Sequence, residues 1–226
     1  MTIRKKLGAM RREYWRKQQE KCFETFHFHY YTTKGKHTWE DTHFFGVRVL
    51  KCPFDLWTYQ EIIYRTKPDL IIETGTFNGG STFYYAHLLD LMGHGQVVSV
   101  DIDPQPDLPS HPRIRYIKDS SIGESVLGEL RAMAAGCERV MVVLDSDHSC
   151  EHVYKEMVAY APLVSPGCYM VVEDGNINGR PNLPQFGPGP AEAIERFLSH
   201  DESFEVDKRC ERHLFSFNPG GWLLKK

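Results

Sequence analysis

The stretch from Leu70 to Thr82 constrains this chain more than any other. An apolar run, Leu70 to Ile72, reaches a carboxylate at Glu73, and a turn holding Gly75, Gly79 and Gly80 follows. Ser81 and Thr82 then stand where N-caps stand, ahead of a helix expected over Phe83 to Met92. The pattern is a strand, a ligand loop and a helix start.

The alternation continues downstream. Strands are expected over Gln96 to Asp103, Arg113 to Ile117, Arg139 to Leu144 and Cys168 to Val172. Helices are expected over Asp55 to Thr66, with Leu56, Tyr59, Ile62 and Ile63 inward, over Ser125 to Ala135, along the face Val153, Met157 and Tyr160, and over Ala191 to Ser199. Phe204 to Val206 and Leu214 to Asn218 read as a closing hairpin. Strand and helix in alternation imply an α/β fold, a mainly parallel sheet with helices on both faces.

The loop spacing selects a ligand. A dinucleotide site calls for G-x-G-x-x-G, whereas this loop is Gly75-x-x-x-Gly79-Gly80, with Glu73 two residues before the first glycine. A carboxylate there repels a pyrophosphate but suits an ammonium or a sulfonium. S-adenosylmethionine (SAM) carries both, and its own carboxylate can be met by loop amides over Gly75, Thr76, Asn78, Gly79 and Ser81 at a helix N-terminus. Asp101 ends the next strand where a βαβ nucleotide unit grips ribose hydroxyls, with Asp103 as second choice. Asp119 and Ser120 follow the third strand, on the adenine side, where Asp119 alternatively caps the following helix.

Two consecutive strands end in acids, Asp145 from one and Glu173 with Asp174 from the next. Adjacent strands lie about 5 Å apart, so three carboxylates would crowd a small volume and raise one another's pKa values. A hard divalent cation resolves that conflict, and Mg²⁺ takes oxygen ligands while keeping positions open. Asp145 would then serve both metal and nucleoside. His148, three residues on, is a general-base candidate because its pKa lies near working pH.

Other features bound the possibilities. The formal net charge is -3, and Lys and Arg are mixed with Asp and Glu beyond the first twenty residues, so no nucleic-acid partner is expected. No apolar run approaches a membrane span, the basic start lacks a signal-like apolar segment, and six scattered cysteines suit reduced thiols; a cytoplasmic protein without a membrane partner is expected. Residues 1–42 form an N-terminal arm and cover ahead of a domain spanning 43–226. The arm, Met1 to Lys21, is basic and helical, a solvated helix or a contact with a sister subunit in a homo-oligomer. Cys22 to Thr42 is rich in aromatics and histidines, including His27, His29, His37 and Trp39, and is broken by Lys34-Gly35-Lys36. It reads as loop with a short hairpin or helix, serving as either a lid or a packed cover. The Gly/Pro-rich stretch 175–190 is a second functional-loop candidate, with Asn176, Asn178 and Arg180 offering hydrogen bonds to sugar hydroxyls.

Ile72-Glu73-Thr74-Gly75 with Asn78-Gly79-Gly80-Ser81, Asp101, Leu144-Asp145 with His148, Val172-Glu173-Asp174, and the preceding Gly46 to Lys51 with Tyr59 resemble the cephalosporin-hydroxylase-like and rhamnosyl O-methyltransferases, and more distantly the catechol O-methyltransferase type. The resemblance runs from about Trp39 to Asp174. It implies a Rossmann-like class I methyltransferase domain, SAM as donor and Mg²⁺ held by Asp145, Glu173 and Asp174. His148 stands where catechol-type enzymes carry a lysine base. The expected activity is Mg²⁺-dependent O-methylation of a hydroxyl on a small molecule, a sugar or a glycosylated or polyketide natural product. A SAM-binding accessory protein of a biosynthetic oxygenase and an NAD-linked oxidoreductase are the alternatives.

Overall fold

The computed structural model describes residues 3–32 and 38–226; the Lys34-Gly35-Lys36 break and His37 lie outside the described residues. A long helix, α1 (Ile3–Thr32), is followed by a two-stranded ribbon of β1 (His43–Phe44) and β2 (Val47–Arg48) and by α2 (Pro53–Thr66). The chain then alternates through β3 (Leu70–Thr74), α3 (Gly80–Met92), β4 (Gln96–Asp101), β5 (Ile114–Lys118), α4 (Glu124–Ala134), β6 (Val140–Leu144), α5 (Cys150–Tyr160), β7 (Tyr169–Val172), α6 (Pro190–Leu198), β8 (Phe204–Val206) and β9 (Trp222–Lys225).

The seven strands from β3 onward form one sheet in the order β5-β4-β3-β6-β7-β9-β8, in which β9 alone runs against the others. Successive residues of a strand face opposite layers, and the core divides accordingly. Leu70, Ile72, Val142 and Val172 join Leu130 of α4, Met157 of α5 and Phe197 of α6. Ile71, Val143 and Val171 join Tyr59 and Ile62 of α2 with Tyr85 and Leu89 of α3. Each such fully buried aliphatic side chain contributes roughly 1.5–3 kcal/mol. Strand order reverses between β3 and β6, the switch point where open α/β sheets place their ligand crevice.

Three local expectations are corrected. The closing hairpin pairs β8 with β9, not with Leu214 to Asn218. Trp222 and Leu223 are fully buried, so the later apolar run has the stronger claim to the sheet. Ser81 and Thr82 do not cap α3; Gly79, at φ 73°, is the N-cap, and both hydroxyls turn instead to Glu73.

The third correction concerns the N-terminal segment, where α1 continues through Cys22 to Thr32. Phe26, His27, Tyr30 and Tyr31 share one helical face and pack on Phe215 and Phe217. Aromatics on the other faces, such as exposed Phe28, hide that period in the sequence. Over Cys22 to Thr32 the segment is thus helix rather than mainly loop, and it packs as a cover.

The 175–190 stretch also differs from expectation. Asn176 is fully buried, Asn178 donates to Glu192, and Arg180 pairs with Glu192 and Glu195. These side chains bind the loop to α6 and α1 rather than presenting themselves to a sugar. His27, fully buried on α1, accepts from Asn182 Nδ2 at 3.0 Å and lies 3.5 Å from Asn176 Nδ2.

Amide donors need an unprotonated Nδ1, and burial, partly opposed by the Ser216 backbone, pushes the His27 pKa down to about 4. Between pH 4 and the ordinary value near 6.5, the unfolded chain therefore binds more protons at this position. His27 stabilisation is full above pH 6.5 and is lost as pH falls through 4. Urea titrations of His27→Gln and the parent over pH 4–7 should differ by a slope worth roughly 2–3 kcal/mol across that window. Parallel curves would refute the assignment.

Candidate active site

A cavity of about 710 Å³ opens at the carboxyl ends of the parallel strands, within the range of small-ligand sites. The loop after β3 supplies Gly75, Thr76, Phe77, Asn78 and Ser81; β4 and its end supply Val100, Asp101 and Ile102; the turn after β5 supplies Ser120, Ser121 and Ile122. Asp145, Ser146, Asp147 and His148 follow β6, Asp174 follows β7, and His152 comes from α5. Trp39, Leu50 and Lys51 close the N-terminal side.

The loop is set by close backbone approaches. Gly75 sits at φ 85°, its N–H bonded to Val100 O, and a Cβ there would lie 1.8 Å from the Asp145 carbonyl oxygen. Only glycine lets β3 and β6 part this narrowly at the switch point. Gly75→Ala should cost about 2–4 kcal/mol in urea unfolding, through clash and positive φ together; a loss below 0.5 kcal/mol would show that the approach is loose. Gly80 is equally confined, since a Cβ there would lie 2.0 Å from Arg48 O. Thr76 Oγ1 meets Ser99 Oγ at 2.7 Å, and Asn78 Nδ2 donates to Arg48 O at 2.6 Å.

Of the nucleoside residues expected from sequence, Gly75, Thr76, Asn78, Ser81, Asp101, Ser120 and Asp145 line the cavity. Gly79 caps α3 behind them. Asp101 accepts from Phe77 N at 2.7 Å and Asp103 N at 2.8 Å, which orients its carboxylate on the wall.

Two residues fall elsewhere. Glu73 is fully buried behind the loop, its carboxylate accepting from Ser81 Oγ at 2.5 Å, Ser99 Oγ at 2.9 Å and Thr82 Oγ1. Burial, opposed chiefly by Lys51, raises its pKa. It braces the loop instead of facing a ligand. Asp119 is exposed and accepts from the N–H of Ser120, outside the cavity lining, with its Oδ1 beside Gly123, the N-cap of α4.

The acids at the strand ends divide into two sets. Donor atoms of Asp145, His148 and Asp174 all lie within 4.8 Å of one another, with His148 Nε2 3.3 Å from Asp174 Oδ2. Asp174 occupies φ 55°, and its N–H is held by Asn218 Oδ1 at 3.1 Å. Glu173 faces differently: its Oε1 accepts from Tyr59 Oη at 2.5 Å and from Lys51 Nζ at 2.6 Å. Lys51 Nζ also donates to Asp145 Oδ2 at 2.8 Å.

The crowding inferred from sequence is thus relieved in part by an ammonium, which sequence reading had not assigned to the site. Burial opposes the Lys51 charge, but Asp145 and Glu173 outweigh it and hold the pKa well above the ordinary lysine value. Burial raises Asp145, Glu173 and Asp174 above the usual carboxylate range, with Lys51 opposing at each. For His148, burial disfavours the cation, yet Asp174, Asp145 and Glu173 prevail and raise its pKa. Three carboxylates against one ammonium leave a negative remainder that suits a divalent cation.

A model of the family described as rhamnosyl O-methyltransferase/CmcI matches residues 36–226. The rhamnosyl O-methyltransferase of Mycobacterium leprae (strain TN) is 36% identical over 209 residues, 90% of this chain and 90% of the relative. The chain belongs to the rhamnosyl O-methyltransferase/CmcI family. The rhamnosyl O-methyltransferase of Mycobacterium tuberculosis (strain ATCC 25618 / H37Rv) is also 36% identical, over 214 residues, 89% of this chain and 84% of its own. Family membership makes the chain an O-methyltransferase and extends the likeness from Asp174 through the tail to Lys226.

Solved CmcI structures share the class I methyltransferase fold. An apo structure aligns with TM-score 0.65 at 21% identity, covering 82% of this chain and 76% of that one. A Mg-SAM structure aligns with TM-score 0.64 at 20% identity, covering 83% and 77%.

Proposed function

We propose that this O-methyltransferase transfers the methyl group of SAM to a hydroxyl of a sugar, with Mg²⁺ beside the acceptor. The observation that carries this reading is the continuity of one cavity. Asp145 and Asp174 of the acid cluster and Asp101 with the Gly75 loop of the nucleoside end line the same wall. The rhamnosyl name of the mycobacterial relatives favours a sugar acceptor, and the Mg-SAM complex of CmcI favours both cofactors.

The residues fit these groups. The N-terminus of α3 lacks a side-chain cap and an acid in its first turn, which suits the SAM carboxylate. Asp101 accepts from ribose hydroxyls, and Ser120 with Ser121 borders the base. Asp145 and Asp174, joined by the remaining oxygen of Glu173, would hold Mg²⁺, which leaves the His148 nitrogen free to act as a base. SAM supplies a sulfonium-activated methyl group, and Mg²⁺ lowers the pKa of the acceptor hydroxyl.

His148, on the cavity wall beside Asp145 and Asp174, would take up the proton that the acceptor hydroxyl loses on methylation. Holding oxygen, carbon and sulfur in line supplies much of the acceleration. Trp39 and Leu50 line the same cavity and give its N-terminal side an apolar surface.

Calorimetric titration of chelator-treated protein with SAM, with and without Mg²⁺, tests the cofactors. Mass-spectrometric detection of a methylated rhamnoside tests the acceptor. Tight SAM binding with no product from any sugar would favour the accessory role, and heat with NAD alone would overturn the reading.

A further inference from the structure

The first half of α1 carries a surface that methyl transfer does not use. Leu7, Met10 and Tyr14 recur at i, i+3 and i+7 and so share one helical face, and they are 60%, 68% and 57% exposed. Trp15, 55% exposed, sets its ring edge-on to Tyr14 at 5.5 Å. Between Arg4 and Lys17 stand seven Lys and Arg residues against one acid, Glu13, in a chain whose net charge is -3. Glu13 is engaged by Arg16 and Lys17.

The placement of the cations matters as much as their number. One helical step to either side of the apolar stripe stand Arg11, four residues after Leu7, and Lys6, four before Met10. Long basic side chains in those positions cover apolar edges with their stems and reach outward with their charges. Further along, from Phe26 onward, the same helix is packed on Phe215 and Phe217, so the basic half projects from an anchored base.

From this arrangement we infer that the Arg4 to Lys17 half of α1 lies on an anionic lipid bilayer surface, with Leu7, Met10 and Tyr14 set into the interface. An apolar stripe bordered by Lys and Arg is the arrangement of interfacial helices, and four to eight basic residues on such a helix favour anionic lipid. A second copy of the chain would bring the same cations against these. A nucleic acid would engage the cations but leave the apolar stripe in water. No described helix is long and apolar enough to cross a membrane, and a helix lying in the interface needs no such length. The inference is independent of the methyl-transfer reading.

Co-sedimentation of the full chain with vesicles tests it, using phosphatidylcholine alone and phosphatidylcholine with one quarter phosphatidylglycerol. Binding is expected only to the anionic vesicles and should weaken as salt rises. Lys6→Glu/Arg11→Glu should lower the partition at least about tenfold, given roughly 1 kcal/mol per basic residue near the surface. Leu7→Ser/Met10→Ser should lower it by a similar factor, with circular dichroism and SAM binding unchanged in both variants. Absence of binding to anionic vesicles would overturn the inference. So would equal binding by the charge-reversed variant, or a parent dimer in sedimentation velocity that the Leu7→Ser/Met10→Ser variant loses while its vesicle binding persists.

Discussion

Lys51→Met is expected to cost the fold about 3–5 kcal/mol, the usual loss when one partner of a buried ion pair is removed. The Lys51 side chain is 2% exposed and that of Glu173 5%, with Nζ within 2.8 Å of carboxylates from two neighbouring strands. Without the ammonium, Asp145 and Glu173 must ionise beside Asp174 uncompensated or take up protons. Tyr59 Oη supplies Glu173 with one donor but no charge. Urea unfolding measures the loss, and a double-mutant cycle identifies its source. Lys51→Met/Glu173→Gln should lose at least about 1 kcal/mol less than the single losses summed, because the second change removes the charge that the first stranded. Additive losses would mean that Lys51 acts through packing of its aliphatic stem. A loss under 1 kcal/mol would mean that water reaches the pair.

The second large effect is on turnover. Asp145→Asn keeps the shape of the side chain and a carbonyl for Lys51, but removes the charge shared between the nucleoside cavity and the acid cluster. Metal-assisted polarisation is worth several kcal/mol, so methyl transfer should fall on the order of 10³-fold. SAM binding should stay within about fivefold of the parent, because Asp101 and the Gly75 loop remain in place. The heat of Mg²⁺ addition should disappear. Retention of full turnover by this variant in the presence of chelator would remove metal from the proposal. A collapse of SAM affinity alongside turnover would instead make Asp145 a nucleoside ligand first.

Much of this architecture was legible along the chain because it is local. Apolar β-branched runs ending in Glu73, Asp101, Asp145 and Glu173, separated by periods of 3.6, specify strands, helices and the sheet edge at which the acids emerge. Parallel strands joined by helices can close in few ways, so the crevice at the β3/β6 switch follows from order alone. Gly75 was legible as a glycine of the ligand loop, whereas the Asp145 carbonyl that leaves no room for a Cβ there was not.

What sequence reading missed is contact between residues far apart. Lys51 lies 94 residues from Asp145 and 122 from Glu173, and no spacing rule links them. Two signals were available: the family-like stretch Gly46 to Lys51 with Tyr59, and the electrostatic demand of three converging carboxylates for a cation, part of which a buried lysine meets before any metal does. The aromatic face of α1 was hidden for the same reason, since its period becomes meaningful only against Phe215 and Phe217, two hundred residues away in order of magnitude.

Glu73 shows both limits. Its position two residues before Gly75 suggests, from sequence, a carboxylate that meets the cation of SAM. The three hydroxyls that take up its carboxylate come from the start of α3 and from β4, so packing turned a presumed ligand contact into a brace. Sequence by itself determined the parallel sheet, the glycine loop and the edge to which the acids are delivered, because backbone periodicity and turn chemistry act over a few residues. Tertiary structure alone decided that Asp145 and Asp174 line the cavity, that Glu173 turns to Lys51 and Tyr59, and that Lys51 bridges Asp145 and Glu173. That choice depends on side-chain direction and on charge compensation inside a buried volume, and both exist only once the strands lie side by side.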